Sequence, residues 1–279
     1  MKPIRTNILL PTDFSDNSWN AIVYALKLYT EETCRFYLLS STNIKASSMS
    51  DFSNKITKAM RANAIKDLLE FKQLAETANA NANHEFEIVV SQKELKKAVE
   101  DTVKKHQITM VIMGTKGATG AKEIFFGSNT INIIKNMSLC PVLIIPEDYD
   151  FKVPKQIAFP TDFNRFYNHI ELQPLKDLAT LHNSKIRIVH INVETKLNDI
   201  QEYNIEALRN YLENFEHSFH WMPDYSKKVL AINDFIEELN IDILAMVNYK
   251  HSFIENIINE PVIKKIGFHP KTPFLVIPD

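Results

Sequence analysis

Short apolar runs rich in β-branched residues alternate with longer mixed segments along the first half of the chain. In the longer segments, apolar residues recur at steps of three and four, as Ile22, Ala25, Leu26 and Tyr29 do. That spacing is typical of amphipathic helices, whereas the short runs predict strands. Alternating strands and helices indicate βαβ units, and therefore a parallel sheet covered by helices on both faces. The predicted strands are Asn7–Pro11, Phe36–Ser41, Phe86–Ser91, Met110–Met113 and Val142–Ile145.

The second half of the chain repeats the plan of the first. The phrase ILLPTDFS at Ile8–Ser15 returns as IAFPTDFN at Ile157–Asn164, and CPVLIIPED at Cys140–Asp148 returns as TPFLVIPD at Thr272–Asp279. The distance between the copies is far longer than a solenoid repeat, so each copy is a whole domain. We therefore predict two α/β domains in tandem, 1–148 and 155–279. The strands predicted in the second are Gln156–Phe159, Ile186–Ile191, Phe219–Met222, Ile243–Val247 and Phe274–Ile277.

Four of the five glycines of the chain fall in one short stretch, Met113–Thr130. They begin directly after a predicted strand, and in open α/β sheets ligands bind beyond the carboxyl ends of the strands. Glycine permits positive φ and lets the backbone approach a ligand, at a cost in backbone entropy. Gly127 then opens a helical segment, whose N–H groups and positive dipole end favour phosphate. Further candidates for phosphate contact are the hydroxyls of Ser128 and Thr130 and the charges of Lys116 and Lys122. The alternative interpretation is a flexible loop with a glycine at a helix start.

Two common phosphate-binding motifs do not fit this loop. The pattern G-x-x-x-x-G-K-[ST] is absent, and so is G-x-G-x-x-G after the first strand. The spacing present is Gly114, two residues, Gly117, nine residues, then Gly127 and Ser128. Together with PTDFS after the first strand and CPVLIIP in the fifth, this spacing resembles the nucleotide-binding motif of the universal stress protein family.

The resemblance covers nearly the whole chain, as a tandem pair of such domains. It implies that each domain is an open five-stranded parallel sheet, in the order 3-2-1-4-5 and flanked by helices. It also implies binding of ATP or a related adenine nucleotide, with or without Mg²⁺, and a role in stress response without a settled catalytic activity. Asp13 would lie near the nucleoside, Ser41 near the base, and the glycines around the ribose and phosphates. The residues implied to bind nucleotide are Pro11, Thr12, Asp13, Ser41, Met113, Gly114, Gly117, Gly127, Ser128 and Asn129.

The second domain lacks the glycine motif. Aligning the closing phrases of the two domains places Asn259, Glu260 and Pro261 where the first domain has Gly-Ser-Asn at 127–129. Glu260 would repel phosphate, and Pro261 has no N–H to donate. Val247 carries a Cβ at a position of close backbone approach. We therefore expect one nucleotide site per chain, in the first domain, with the second domain in a structural or regulatory role.

The motif PTDF occurs in both domains, although only one of them has the glycines. Asp162 therefore has a structural role that does not depend on phosphate, such as accepting hydrogen bonds from backbone N–H groups in the turn before the first helix. For Asp13 two interpretations stay open. It either holds the turn alone, or holds the turn and also contacts the ligand.

Composition and charge restrict the class of protein further. A net charge of −2 gives no basic field that would recruit nucleic acid, and no segment approaches the roughly 18 apolar residues of a membrane span. Two cysteines fit a reducing cytoplasm. His217 and His220 lack the spacing of metal ligands and would point to opposite faces of an extended segment. We expect a cytoplasmic protein that does not bind nucleic acid or membranes and has no metal site formed by its own side chains.

Two other classes of function stay open. The first is an enzyme, either a slow ATPase or a phosphate- or adenylyl-transferase. Such chemistry needs a positioned base or metal ligand near the phosphates, and Asp13 is the one acid that the sequence places there. We therefore expect weak ATPase activity at most. The second class is an interaction protein that binds no nucleotide.

The fifth strands predict how the two halves meet. Val142–Ile145 and Phe274–Ile277 are apolar, follow prolines and carry no charge, and the implied strand order makes each an edge. Unguarded apolar edges promote aggregation. We therefore predict that these strands pair antiparallel, so that the second domain takes the place of a second subunit. The resemblance implies the same, because single-domain relatives dimerise through this strand, and the whole chain could form a homodimer in addition.

Overall fold

The computed structural model describes residues 6–42, 51–115, 126–191, 196–222, 228–249 and 271–279. By its contacts the chain divides into two compact units, Met1–Phe151 and Lys152–Asp279. We call them unit 1 and unit 2. The functional bounds 1–148 and 155–279 stay a prediction.

Unit 1 is a five-stranded parallel sheet with helices between the strands. The strands lie in the order β3-β2-β1-β4-β5, and every neighbouring pair is parallel. The elements are β1 Thr6–Pro11, α1 Asp16–Leu28, β2 Cys34–Ser41, α2 Asp51–Ala78, β3 His84–Ser91, α3 Leu95–His106, β4 Met110–Gly114, α4 Ser128–Asn136 and β5 Val142–Ile145.

Unit 2 has the same arrangement of strands and helices. Its strands lie in the order β8-β7-β6-β9-β10, again with parallel neighbours, which is 3-2-1-4-5 when counted within the unit. The elements are β6 Gln156–Pro160, α5 Gln173–His182, β7 Lys185–Ile191, α6 Asp199–Tyr211, β8 His217–Met222, α7 Lys228–Glu238, β9 Ile243–Asn248 and β10 Phe274–Pro278. The predicted fold class is confirmed, and each predicted apolar run forms a strand.

Burial along the strands explains why the pattern predicted them well. Ile8, Leu9 and Leu10 in the central strand β1 are all 0% exposed, because helices cover both faces of the sheet. The outer strand β3 instead alternates, with Phe86 buried and Glu87 exposed. In β1 a continuous apolar run thus marks a strand covered on both faces, and in β3 alternation marks a strand with one exposed face.

Candidate functional site

The predicted nucleotide-binding residues of unit 1 that the structure describes gather at one edge of the sheet. Pro11, Ser41 and Gly114 are the last residues of β1, β2 and β4. These strands are neighbours in the sheet and all run the same way, so their carboxyl ends share one edge. The α4 segment that starts at Ser128 returns to the same edge, as described below.

The PTDF motif forms a tight turn between β1 and α1. The Phe14 N–H donates to Thr12 Oγ1 at 3.0 Å. The N–H and hydroxyl of Ser15 both donate to Asp13 Oδ1, at 3.2 and 2.6 Å. Phe14 adopts a left-handed φ of 65°, which is strained for an aromatic residue, and its ring packs edge-on against Phe71 at 5.1 Å. The Asp13 side chain is exposed, so it can also meet a ligand.

Unit 2 repeats both backbone N–H bonds of this turn. The Phe163 N–H donates to Thr161 Oγ1 at 3.0 Å, and the Asn164 N–H donates to Asp162 Oδ1 at 3.0 Å. Phe163 has a φ of 57° and stacks on His190 at 4.9 Å between ring centroids. The structural reason predicted for the aspartate therefore holds in both units. A further role of Asp13 toward ligand stays a prediction.

The N-terminus of α1 is satisfied by protein groups. The Ser15 side chain caps it by accepting from the Ser18 N–H at 3.3 Å. The Ser18 hydroxyl donates to the Ser15 carbonyl at 2.8 Å and lies 2.9 Å from Thr12 Oγ1. Since the cap and the turn already use these groups, α1 presents a poor site for an anion.

Helix α4 begins differently, with Gly127 at the N-cap and no side chain among the described residues that caps it. The first bond within the helix runs from the Ile131 N–H to the Gly127 carbonyl, so three earlier N–H groups have no partner inside the helix. The side chains of Ser128 and Asn129 are exposed. Gly127 has an ordinary φ of −60°, so the backbone does not require glycine there. Helices α3 and α5 also lack a side-chain cap, so the position of α4 rather than its capping alone distinguishes it.

Two hydrogen bonds hold the start of α4 against the end of β4. The Gly127 N–H donates to the Thr115 carbonyl at 2.7 Å, and the Thr130 hydroxyl donates to the Gly114 carbonyl at 3.1 Å. Thr130 is 2% exposed. The prediction that its hydroxyl meets phosphate is therefore wrong, because this hydroxyl is buried and donates to the backbone of β4.

A contact inside the protein requires glycine at position 114, and the sequence did not indicate it. A Cβ built on Gly114 would lie 2.8 Å from both Cγ and Oδ1 of Asn17, closer than real Cβ atoms approach other atoms. Asn17 is 7% exposed, and its Nδ2 reaches Thr115 Oγ1 at 3.5 Å. The missing side chain lets the first turn of α1 lie directly on the end of β4. Asn17 and Thr115 are the residues of this site that sequence reasoning missed.

Ser41 ends β2 as predicted, but its side chain is already in use. Its hydroxyl donates to the carbonyl of Lys93 at 2.5 Å. Several residues discussed from the sequence lie outside the described part of the chain, namely Lys116, Gly117, Lys122, Asn259, Glu260 and Pro261.

The corresponding edge of unit 2 is filled by protein groups. The Arg165 guanidinium donates to the carboxylates of Glu171 and Asp279. It also lies over two tyrosine rings, 4.7 Å from the centroid of Tyr249 and 5.4 Å from that of Tyr167. Burial raises the pKa of both tyrosines above its ordinary value, so both phenols are neutral. We call these five residues the arginine cluster.

The first helix of unit 2 also starts later than that of unit 1. Helix α1 begins at Asp16, soon after Pro11, whereas α5 begins at Gln173, well after Pro160. Val247 occupies the position in β9 that Gly114 has in β4. In unit 1 the missing side chain at this position leaves space for the first turn of α1, whereas valine fills the equivalent position in unit 2. The two units therefore have the same strand order and the same turn but differ at the site.

The described residues place the two close histidines apart and hold no metal cluster. The His217 ring contacts Phe219, whereas His220 contacts Phe235 and lies 2.7 Å from Ser218 Oγ, so the predicted opposite faces are confirmed. Within the described ranges, no three histidine, cysteine or acidic side chains are grouped so that they could hold a metal ion. None of the described helices is long and apolar enough to cross a membrane.

Comparison with known proteins finds universal stress proteins among the matches. Universal stress protein MJ0577 of Methanocaldococcus jannaschii is 27% identical over 162 residues, which are 52% of this chain and 97% of the relative. Universal stress protein MJ0531 of the same organism is 27% identical over 141 residues, 50% of this chain and 80% of that protein. The crystal structure of a universal stress protein from Archaeoglobus fulgidus covers 98% of this chain and 96% of its own, with a TM-score of 0.67 and 19% identity, and so shares its fold. The model of the universal stress protein family matches residues 5–146, just over half of the 279 residues, and the chain therefore belongs to that family.

Proposed function

We propose that the chain binds one adenine nucleotide, ATP or a close relative, at the carboxyl edge of the unit 1 sheet. The observation that carries this proposal is the start of α4, whose uncapped N–H groups are held against the end of β4 by the bond from Gly127 to Thr115. Such a helix start binds phosphate through its N–H groups and dipole. Membership of the family supports the same ligand.

Each part of the nucleotide has its own set of residues in this proposal. The phosphates lie at Gly127, Ser128 and Asn129, where exposed side chains flank the helix start. The ribose and the nearer phosphate follow the backbone of Met113, Gly114 and Gly117. The nucleoside faces the turn of Pro11, Thr12 and Asp13, and the base lies near the end of β2 at Ser41. A bound Mg²⁺ would take most of its oxygens from the phosphates and water, because Asp13 is the single carboxylate in this set.

We propose binding rather than rapid turnover as the activity of the site. A hydrolase would need a base or metal ligands placed at the terminal phosphate, and Asp13 Oδ1 already accepts two hydrogen bonds from Ser15. The alternative, a slow ATPase or a phosphate- or adenylyl-transferase, would show steady-state turnover that Asp13→Asn abolishes. We further propose that the protein acts in the cytoplasm during stress response.

Unit 2 is proposed to be a structural or regulatory partner without a nucleotide site. Two observations support this role. Val247 replaces the glycine at the end of the fourth strand, and the arginine cluster fills the edge where a ligand would lie. The Arg165 charge is already paired with two carboxylates, those of Glu171 and Asp279, so it is not available to hold an anion.

Titration calorimetry of the full chain with ATP, ADP and AMP tests the stoichiometry and the site together. We expect one nucleotide per chain, and no binding by Gly127→Val, whose side chain would stand at the helix start. At a nucleotide concentration of about 100 times Kd, the free energy of unfolding of the wild type should rise by about 2.7 kcal/mol, and that of the variant should not change. Two equivalent sites would refute the single-site proposal. No heat with any adenine nucleotide would favour the interaction protein that binds none.

A further inference from the structure

Helix α6 of unit 2 carries an apolar stripe on its outer side. Asn204, Ile205 and Leu208 are its buried residues, and Asn204 Nδ2 donates to the Phe163 carbonyl at 2.7 Å. Ile200 and Tyr203 on another side are 64% and 66% exposed. Together with Tyr211 they recur at the spacing of one helix face. An amphipathic helix of this length does not need these side chains for its own packing.

An aromatic residue from the turn segment of unit 2 extends the stripe. The Phe166 ring stacks on Tyr203 at 6.2 Å with an interplanar angle of 27°, and meets Tyr211 edge-on at 6.2 Å. Phe166 is itself 44% exposed. We call Phe166, Ile200, Tyr203 and Tyr211 the aromatic patch. Contiguous exposed apolar surface of this kind marks an interaction site, unlike single scattered apolar residues.

Acidic side chains run beside the patch on the same helix. Asp199, Glu202 and Glu206 are exposed and lie along the flank of the stripe, and Glu213 follows just after the helix. Within the described residues none of these four forms an ion pair, whereas most acids of α2 and α3 are paired with lysines. The patch therefore has an acidic rim, with four carboxylates against one cation of the same helix, Arg209, whose guanidinium lies over the Phe219 ring at 4.3 Å.

We propose that the aromatic patch binds an amphipathic helix of another protein, one with an apolar stripe flanked by lysine or arginine. The aromatic and aliphatic groups match the stripe of such a helix, and the acidic rim matches its basic flank. The same rim disfavours the two other occupants of an apolar surface. An anionic membrane would be repelled by it, and a second copy of the chain would bring a second acidic rim toward the first. This proposal concerns unit 2 and stands apart from the nucleotide site.

Two synthetic helical peptides of 18 residues test the proposal on the full chain. One contains leucine at i, i+3, i+4 and i+7 spacing with lysine elsewhere, and its twin has glutamate in place of lysine. Fluorescence anisotropy of the labelled peptides should show binding of the lysine peptide only. Ile200→Ser and Tyr203→Ser should each weaken it by about tenfold, as anchor residues do. Both side chains are more than half exposed, so the variants should melt like the wild type. Leu69→Ser, which changes a 50% exposed leucine of α2, is the control and should leave binding unchanged.

Charge reversal distinguishes attraction of the lysine peptide by the acidic rim from its general attraction to a protein of negative net charge. Asp199→Lys with Glu206→Lys should lose the lysine peptide and gain the glutamate peptide. Glu31→Lys with Glu32→Lys makes the same change in charge at exposed acids of unit 1 and should change neither affinity. The proposal is overturned if neither peptide binds, if both bind alike, or if the Ile200 and Tyr203 variants bind as the wild type does. It is also overturned if Tyr203→Ser abolishes self-association in sedimentation, or abolishes binding to phosphatidylserine vesicles.

Discussion

Replacing Gly114 by alanine should destabilise unit 1 through contact with Asn17. The new Cβ would lie 2.8 Å from Cγ and Oδ1 of Asn17, and 2.9 Å from its Nδ2. Asn17 is buried in the first turn of α1 and reaches Thr115 Oγ1, so it cannot swing away without losing that contact. Overpacking of this kind costs about 1–3 kcal/mol. Removing a glycine restricts the unfolded chain and returns at most about 1 kcal/mol. The free energy of unfolding should therefore fall by about 1–2 kcal/mol.

Urea unfolding followed by tryptophan fluorescence measures this change in the right unit. The chain has two tryptophans, Trp19 in α1 and Trp221 in β8. In a Trp221→Phe background, the remaining tryptophan lies two residues from Asn17 and reports on unit 1 alone. The variant should shift the midpoint without a large change in slope.

A double-mutant cycle decides whether the contact is the cause. Asn17→Ala removes the group that the new Cβ meets, so the double variant should be more stable than the two single changes predict by about 1–2 kcal/mol. Additive effects would refute the reasoning, because the cost of alanine at Gly114 would then not come from Asn17. Nucleotide affinity of the double variant adds a second readout. If Gly114 also serves the ligand, affinity stays low after stability returns.

Three further results are expected. Burial lowers the pKa of His84 below its ordinary 6.5. At a pH just below 6.5 the unfolded chain therefore binds a proton at this residue more readily than the folded chain does, and the free energy of unfolding should fall as the pH drops. His84→Phe should reduce that dependence in urea titrations at several pH values, and an unchanged slope would exclude His84 as its source. Asp13→Asn and Asp162→Asn remove the same turn carboxylate, so both should lower stability alike in thermal melts. Only the first should weaken ATP binding in calorimetry, and equal affinities would leave Asp13 a turn residue alone. The strand pairing predicted from the sequence requires slow amide exchange in Val142–Ile145 and Phe274–Ile277 of the full chain, with faster exchange of the first strand in residues 1–151 expressed alone; rapid exchange in the intact protein would exclude it.

The fold could be predicted from the sequence because its determinants are local. Each strand is a short apolar run, and helix-spaced segments separate the runs, so one window at a time is sufficient. The order of the strands is not local; the family resemblance implied it, and the repeated phrases extended it to the second unit. The ends of strands were predicted less accurately than their centres: β2 begins at Cys34, two residues before the predicted start at Phe36. Cys34 is buried, but the charged Arg35 after it interrupts the apolar run.

The site was only partly predictable because its contacts join distant residues. Spacing identified the glycines, but the reason for Gly114 lies in Asn17, and Thr115 is 98 residues from that partner. Thr130 resembled a ligand donor, and only the return of α4 to β4 shows that its hydroxyl is used. The arginine cluster was equally hidden, because Arg165 and Asp279 are 114 residues apart.

The strained turn of PTDF bears on how quickly unit 1 can take up a ligand. A left-handed aromatic residue costs about 1–2 kcal/mol, and in Phe14 the ring contact with Phe71 and the bond to Thr12 hold it in place. The carboxylate of Asp13 is thus set between two anchored neighbours before any ligand arrives. A preformed group of this kind loses little conformational entropy on binding. Association at this end of the site should therefore proceed as a single fast step, without a slow rearrangement of the turn.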